Sequence, residues 1–91
     1  MGAEYIMLDR VVTERLKLPR RSVWGEPYPR TLGEVLGRIR TGLDALPDSP
    51  CAAMTEDDLW LVLCDVIYGI IRPTRPVLKK DTALAELLSG H

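Results

Sequence analysis

Ninety-one residues, 46% apolar and 27% charged, suffice for one folded domain with a single modest core, and exclude both a disordered chain and an enzyme that encloses its substrate between two domains. The net charge of −1 hides a segregation, because residues 10–40 carry eight bases against three acids and residues 41–71 carry six acids and no base. Such a split either steers a charged partner or is cancelled where the two segments meet in the fold.

The first predicted helix runs from about Glu4 to Leu18. Tyr5, Leu8, Val12 and Leu16 share one stripe with Val11 beside it, whereas Asp9, Glu14 and Arg15 are expected to point away from the core. Pro19 disfavours helical backbone at Leu18, so the helix should stop there. Pro19, Gly25, Pro27 and Pro29 then make residues 19–30 an irregular loop.

The second helix, 31–46, opens on Thr31 in TLGE. This is a capping box: the threonine oxygen accepts from the Glu34 N–H and the Glu34 carboxylate reaches back. Leu32, Val35, Leu36, Ile39 and Leu43 follow at core spacing. Gly33 and Gly37 weaken the helix unless, four residues apart, they admit a neighbouring helix closely.

A turn-rich LPDSPC segment leads to Thr55 and a third helix, 56–71, whose opening acids Glu56, Asp57 and Asp58 suit the positive helix end. LWLVLCDVIYGII, residues 59–71, is apolar on nearly every face, which places this helix at the centre. Its valines and isoleucines make a strand the competing reading, against which its length and acidic start argue. Pro73 and Pro76 end it. After the loop RPTRPVLKK, Asp81 is the expected N-cap of a last helix, 82–89, closed by Gly90.

Val23, Val77 and Leu78 are expected to anchor the loops. The expected core is Leu8, Val12, Leu16, Leu36, Ile39, Leu63, Val66, Ile67 and Leu84. The fold class is therefore all-α, a small four-helix bundle with long irregular loops, forming a single domain over 1–91.

Parts of this order resemble a known family. VVTERLKLPRRSV, a helix ending in a small apolar turn with a valine plug a few residues on, resembles the first helix and loop of acyl carrier proteins. DVIYGIIRPTRPVLKKDTALAEL looks like the same step again, with Val77 in the plug position and Asp81, Thr82, Leu84, Glu86 and Leu87 matching the approach to the next helix. TLGEVLGRI is similar to the family's last helix.

The resemblance implies a carrier-like bundle and, in a working carrier, a phosphopantetheine-bearing serine in a Gly-x-Asp-Ser-Leu motif. That motif is absent from the sequence, whose only Asp-Ser pair is Asp48-Ser49, followed by Pro50 and Cys51. Ser49 is thus either a divergent attachment serine or a plain linker serine in a turn. The chain is correspondingly either one carrier-like unit or the end of one joined to the start of another.

Cys51 and Cys64 stand thirteen residues apart with no histidine nearby, which suits neither a disulfide framework nor zinc; Cys64 reads as a small buried hydrophobe. The lone histidine, His91, is a poorly positioned base at the last residue, and no glycine loop cradles phosphate. No enzyme activity, catalytic residue, cofactor or metal is expected. Arg20, Arg21, Trp24, Tyr28 and Arg30, with Arg38 and Arg40, gather bases and aromatics in the 20–40 region. As a nucleic-acid surface this lacks any recognisable signature, and the pI of 5.8 argues against it.

Trp24, Tyr28 and Trp60 could instead form a site for a partner's helix. The sequence has no signal-peptide succession, and Asp65 breaks its longest apolar stretch, so a cytoplasmic protein without membrane contact is expected. The expected function is that of a non-catalytic module binding another protein, or of part of a larger carrier-type assembly. A homodimer is the alternative if three short neighbours leave much of the 59–71 helix uncovered.

Overall fold

Two capping boxes set where two of the three long helices begin. Thr31 accepts the Glu34 N–H while the Glu34 carboxylate accepts from the backbone of Arg30 and Thr31; these bonds, that from Arg30 first, hold the Glu34 carboxyl below its ordinary range. Thr55 and Asp58 form the second box. The computed structural model describes residues 3–72 and 75–88. Over these the chain is all-α: α1 (Ala3–Leu16), α2 (Leu32–Asp44), a 3-10 turn (Pro50–Ala53), α3 (Glu56–Ile70) and α4 (Leu84–Leu88).

The central helix is α3, which packs against both α1 and α2. Leu59, Leu63, Val66 and Ile67 are buried along it, joined by Leu8, Val12 and Leu16 from α1 and by Leu32, Val35, Leu36, Ile39 and Leu43 from α2. All nine expected core residues are buried in this one cluster. The strand alternative for 59–71 gives way to helix, as the acidic cap requires. Of the large apolar residues on α3 only Leu61, 66% exposed, stands in solvent, so its neighbours cover the helix better than its composition demands. Arg15 meets Asp65 at 2.6 Å, so the basic and acidic segments partly cancel across the fold, while Lys80, outside both, meets Glu56 at 3.8 Å.

α1 ends earlier than Pro19 dictates. Lys17 takes a left-handed conformation, φ 57°, and the Leu18 N–H donates to the Thr13 carbonyl at 2.8 Å, the long closing bond of a Schellman turn. No glycine announces this stop. Its apolar clasp is Leu18, buried close to Gly42 of α2. Because a side chain in this conformation costs about 1–2 kcal/mol, Lys17→Gly should raise stability by about 0.5–1 kcal/mol in urea unfolding. A loss would mean that the lysine side chain outweighs its backbone strain.

The start of α4 is tied to the start of α2. Leu32 N–H donates to Thr82, Leu84 N–H to Arg30, and Gly33 N–H to Lys80, at 3.1, 2.9 and 2.7 Å, around a lone antiparallel bridge between Thr31 and Ala83. This pairing corrects the expected last helix: it begins at Leu84, and Asp81 lies in a turn where Thr82 Oγ1 accepts the Lys79 N–H. The expected closure at Gly90 lies outside the described residues.

Gly33 is needed for that approach, since a Cβ there would sit 2.9 Å from the Lys80 carbonyl oxygen, whereas a Cβ on Gly37 would meet nothing within 4 Å. The two glycines therefore do not form a helix-packing pair. Gly37→Ala should stabilise by about 0.5–1 kcal/mol, and Gly33→Ala should destabilise by about 1–3 kcal/mol. Equal effects in urea unfolding would contradict this division.

Among the loop anchors Val23 is fully buried and Leu78 half-buried, but Val77 is 79% exposed. After α3, Leu78 thus anchors the loop as expected and Val77 does not. Tyr68 helps to hold this loop by donating its hydroxyl to the Pro76 carbonyl at 2.7 Å. No helix is long and apolar enough to cross a membrane among the described residues.

Candidate interaction site

The loop after α1 is organised by a residue expected to face solvent. Asp9 is buried, 7% exposed, and its carboxylate accepts from the backbone N–H groups of Arg21 at 2.9 Å, Val23 at 3.0 Å and Trp24 at 3.0 Å. Three converging donors compensate the desolvated charge, and hydrogen bonds to a carboxylate are the stronger kind. The loop in return holds Arg21 left-handed, φ 68°, and delivers Trp24 onto α1. The signal was present: Asp9 lies four residues after Tyr5 and three before Val12, on the inward-facing side of the helix.

Trp24 lands between two tyrosines. Tyr5 stacks on one face with ring centroids 4.4 Å apart, and Tyr28 on the other at 4.7 Å. The result is a three-ring ladder in which Tyr28 is 52% exposed. Sequence reasoning placed Trp24 and Tyr28 together but missed Tyr5, which it assigned to the core stripe. Trp60, half-buried on α3, stacks with neither of them.

Two hollows flank the ladder. One gathers Ile6, Trp24 and Tyr28 with Arg21 and Glu26 at its margin; the other has Tyr5, Trp24, Tyr28, Pro27, Pro29 and Arg30 on one side and the first turn of α4 opposite.

The arginines of the 20–40 region do not act together. Arg38 Nη1 donates to the Gly25 carbonyl at 2.8 Å, bracing the ladder loop from behind. Arg40 donates to the Ala52 and Met54 carbonyls at 2.9 and 3.0 Å and pairs with Asp44, tying the 3-10 turn to α2. Both are fold-holding contacts, which leaves Arg21 and Arg30 exposed beside the rings.

Ser49 caps the 3-10 turn. Its Oγ accepts the Cys51 N–H at 3.3 Å and the residue is half-buried, in a shallow hollow with Lys17, Leu46 and Pro47. Cys64 is half-buried, and burial pushes its thiol up, away from the reactive thiolate. Among the described residues no group of His, Cys, Asp and Glu is placed to hold a metal ion; His91 lies outside them. Glu56, Asp57 and Asp58 occupy the first turn of α3, as the helix dipole favours. No family model, curated protein or solved structure matches the chain.

Proposed function

We propose that the chain is a non-catalytic protein-binding domain of acyl-carrier-like build, with the aromatic ladder beside α1 as its binding face. The observation that carries this reading is the meeting of Ile6, 62% exposed, with Tyr28 and Trp24 around one hollow. Large apolar side chains left together in water, with charged residues at their margin, are the composition of an interaction surface. Elsewhere Arg38 and Arg40 are engaged on carbonyls and Ser49 as a cap, in contacts that hold the fold. The carrier-like build is supported by Val23, buried where the resemblance puts the plug after α1, whereas Val77, its counterpart after α3, is exposed.

Affinity purification from an extract of the source organism tests it, with wild type, Ile6→Asp and Leu61→Asp compared quantitatively. Expected is a protein partner retained by wild type and Leu61→Asp and lost with Ile6→Asp. Identical recoveries from all three, or none from any, would remove the reading.

A second reading, a divergent phosphopantetheine carrier, is favoured by one feature: Asp48-Ser49 immediately opens a helical turn, which is where the family's serine stands. Modification there requires Ser49 to release the Cys51 N–H. Incubation with coenzyme A and a broad-specificity phosphopantetheinyl transferase, followed by intact-mass measurement, decides it. An adduct on wild type that is missing from Ser49→Ala establishes a carrier, and an unmodified, folded protein leaves the binding domain alone.

A further inference from the structure

The hollow between the aromatic ladder and α4 has an unusual balance of hydrogen-bonding groups. Its side chains are Tyr5, Trp24, Tyr28, Pro27, Pro29 and Arg30, facing the first turn of α4, and no carboxylate or side-chain amide is among them. The phenols of Tyr5 and Tyr28 and the indole N–H of Trp24 make no hydrogen bond to described residues, and none is buried without a partner. The Arg30 guanidinium makes no ion pair with a described residue, although its charge is felt by the Glu34 carboxylate, which the Arg30 and Thr31 backbone and the Thr31 hydroxyl hold. The side chains here offer the indole and guanidinium N–H groups and two phenol O–H groups as donors on an apolar floor, and only the two phenol oxygens as acceptors.

A ligand that fits must bring acceptors and flat apolar surface without bringing many N–H donors. Proline-rich segments have this chemistry. Proline has no backbone N–H, its carbonyls remain open in the extended polyproline helix, and its rings pack on aromatic edges at little conformational cost. We infer that this hollow binds a proline-rich segment of a partner protein, with an aspartate or glutamate beside the prolines paired to Arg30. The inference rests on the protein-binding reading above and names the class of partner.

A polyanion fits less well. Both faces of Trp24 are covered by its neighbours, so only the outer faces of the two tyrosines, of which Tyr5 is half-buried, remain for a stacking base. Arg38 and Arg40 are turned onto carbonyls, and the net charge is −1.

The test is titration of the isotope-labelled protein with three ten-residue probes: a polyproline peptide, the same peptide with one flanking glutamate, and oligo-dT. Expected are shifts centred on the Trp24 indole N–H and Tyr28 with both peptides, tighter with the glutamate form. Tyr28→Ala should weaken peptide binding about tenfold, as loss of an aromatic anchor does. Arg30→Gln should remove the advantage of the glutamate form while leaving polyproline binding unchanged. Leu61→Asp should leave every affinity unchanged.

Absence of peptide-induced shifts from a folded protein at millimolar concentration overturns the inference, as does binding of oligo-dT alone. If the peptides fail while an Ile6-dependent partner is still recovered, the peptide inference falls and the protein-binding reading stands. If both fail, both fall.

Discussion

Replacing Asp9 by alanine should cost about 3 kcal/mol in urea unfolding, a large effect for one polar residue. The carboxylate is the acceptor for three backbone N–H groups, those of Arg21, Val23 and Trp24. Alanine leaves them without it, and the Val23 residue is fully buried. Each buried donor left unsatisfied costs about 1–3 kcal/mol, of which groups near the surface recover part through water. Asparagine should cost less, about 1–2 kcal/mol, because its oxygen still accepts while its amide nitrogen faces a donor.

The same substitution should also be visible locally. Arg21 keeps its left-handed backbone because the surrounding bonds hold it there. Without Asp9 the loop should relax and Trp24 should leave the slot between Tyr5 and Tyr28. In a Trp60→Phe background, fluorescence then reports Trp24 alone and should shift towards that of a solvent-exposed indole at denaturant concentrations where the helices remain. A loss under about 1 kcal/mol with unchanged fluorescence would show that the loop is held by its packing, through Val23, and not by the carboxylate.

This residue also shows where the sequence was legible. Apolar periodicity found the helices and every expected core position, because burying a stripe of leucine and valine is a local pattern with a predictable consequence. Thr31 with Glu34 was equally readable, since both partners of the box lie within one turn. What depended on distant chain was not. Asp9 meets donors twelve to fifteen residues away, and charged residues default to solvent until such partners are known.

Gly33 looks like Gly37 until residues 80–84 are laid against α2. Lys17 ends α1 in a conformation that sequence assigns to glycine. The arginines of residues 20–40 form a run in sequence, yet Arg38 and Arg40 reach different carbonyls because positions two apart on a helix point to different sides, and Arg30 lies ahead of the helix. The ladder was half legible: Trp24 and Tyr28 share a loop, whereas Tyr5 belongs to a helix and meets them where that loop folds back over α1.

Leu63→Ala should cost about 2–5 kcal/mol, and the contrast with Leu61→Ala makes the measurement decisive. The two leucines are two residues apart on α3, yet Leu63 is fully buried and Leu61 is 66% exposed. Truncating Leu63 removes contacts in the helix that packs against both α1 and α2, and the rigid neighbours on either side restrict how far the gap can close. Truncating Leu61 should change stability by less than about 0.5 kcal/mol, as surface substitutions do. A domain of this size is stable by roughly 5–13 kcal/mol, so the Leu63 variant should fold but with a much lower urea midpoint. If the two losses were instead similar, Leu61 would be covered in solution, and the face of α3 that carries it would be a contact between copies of the chain. A midpoint for wild type that rises with protein concentration would then follow by mass action. The pair of variants therefore reports on the core and on the oligomeric state together, independently of what binds the aromatic ladder.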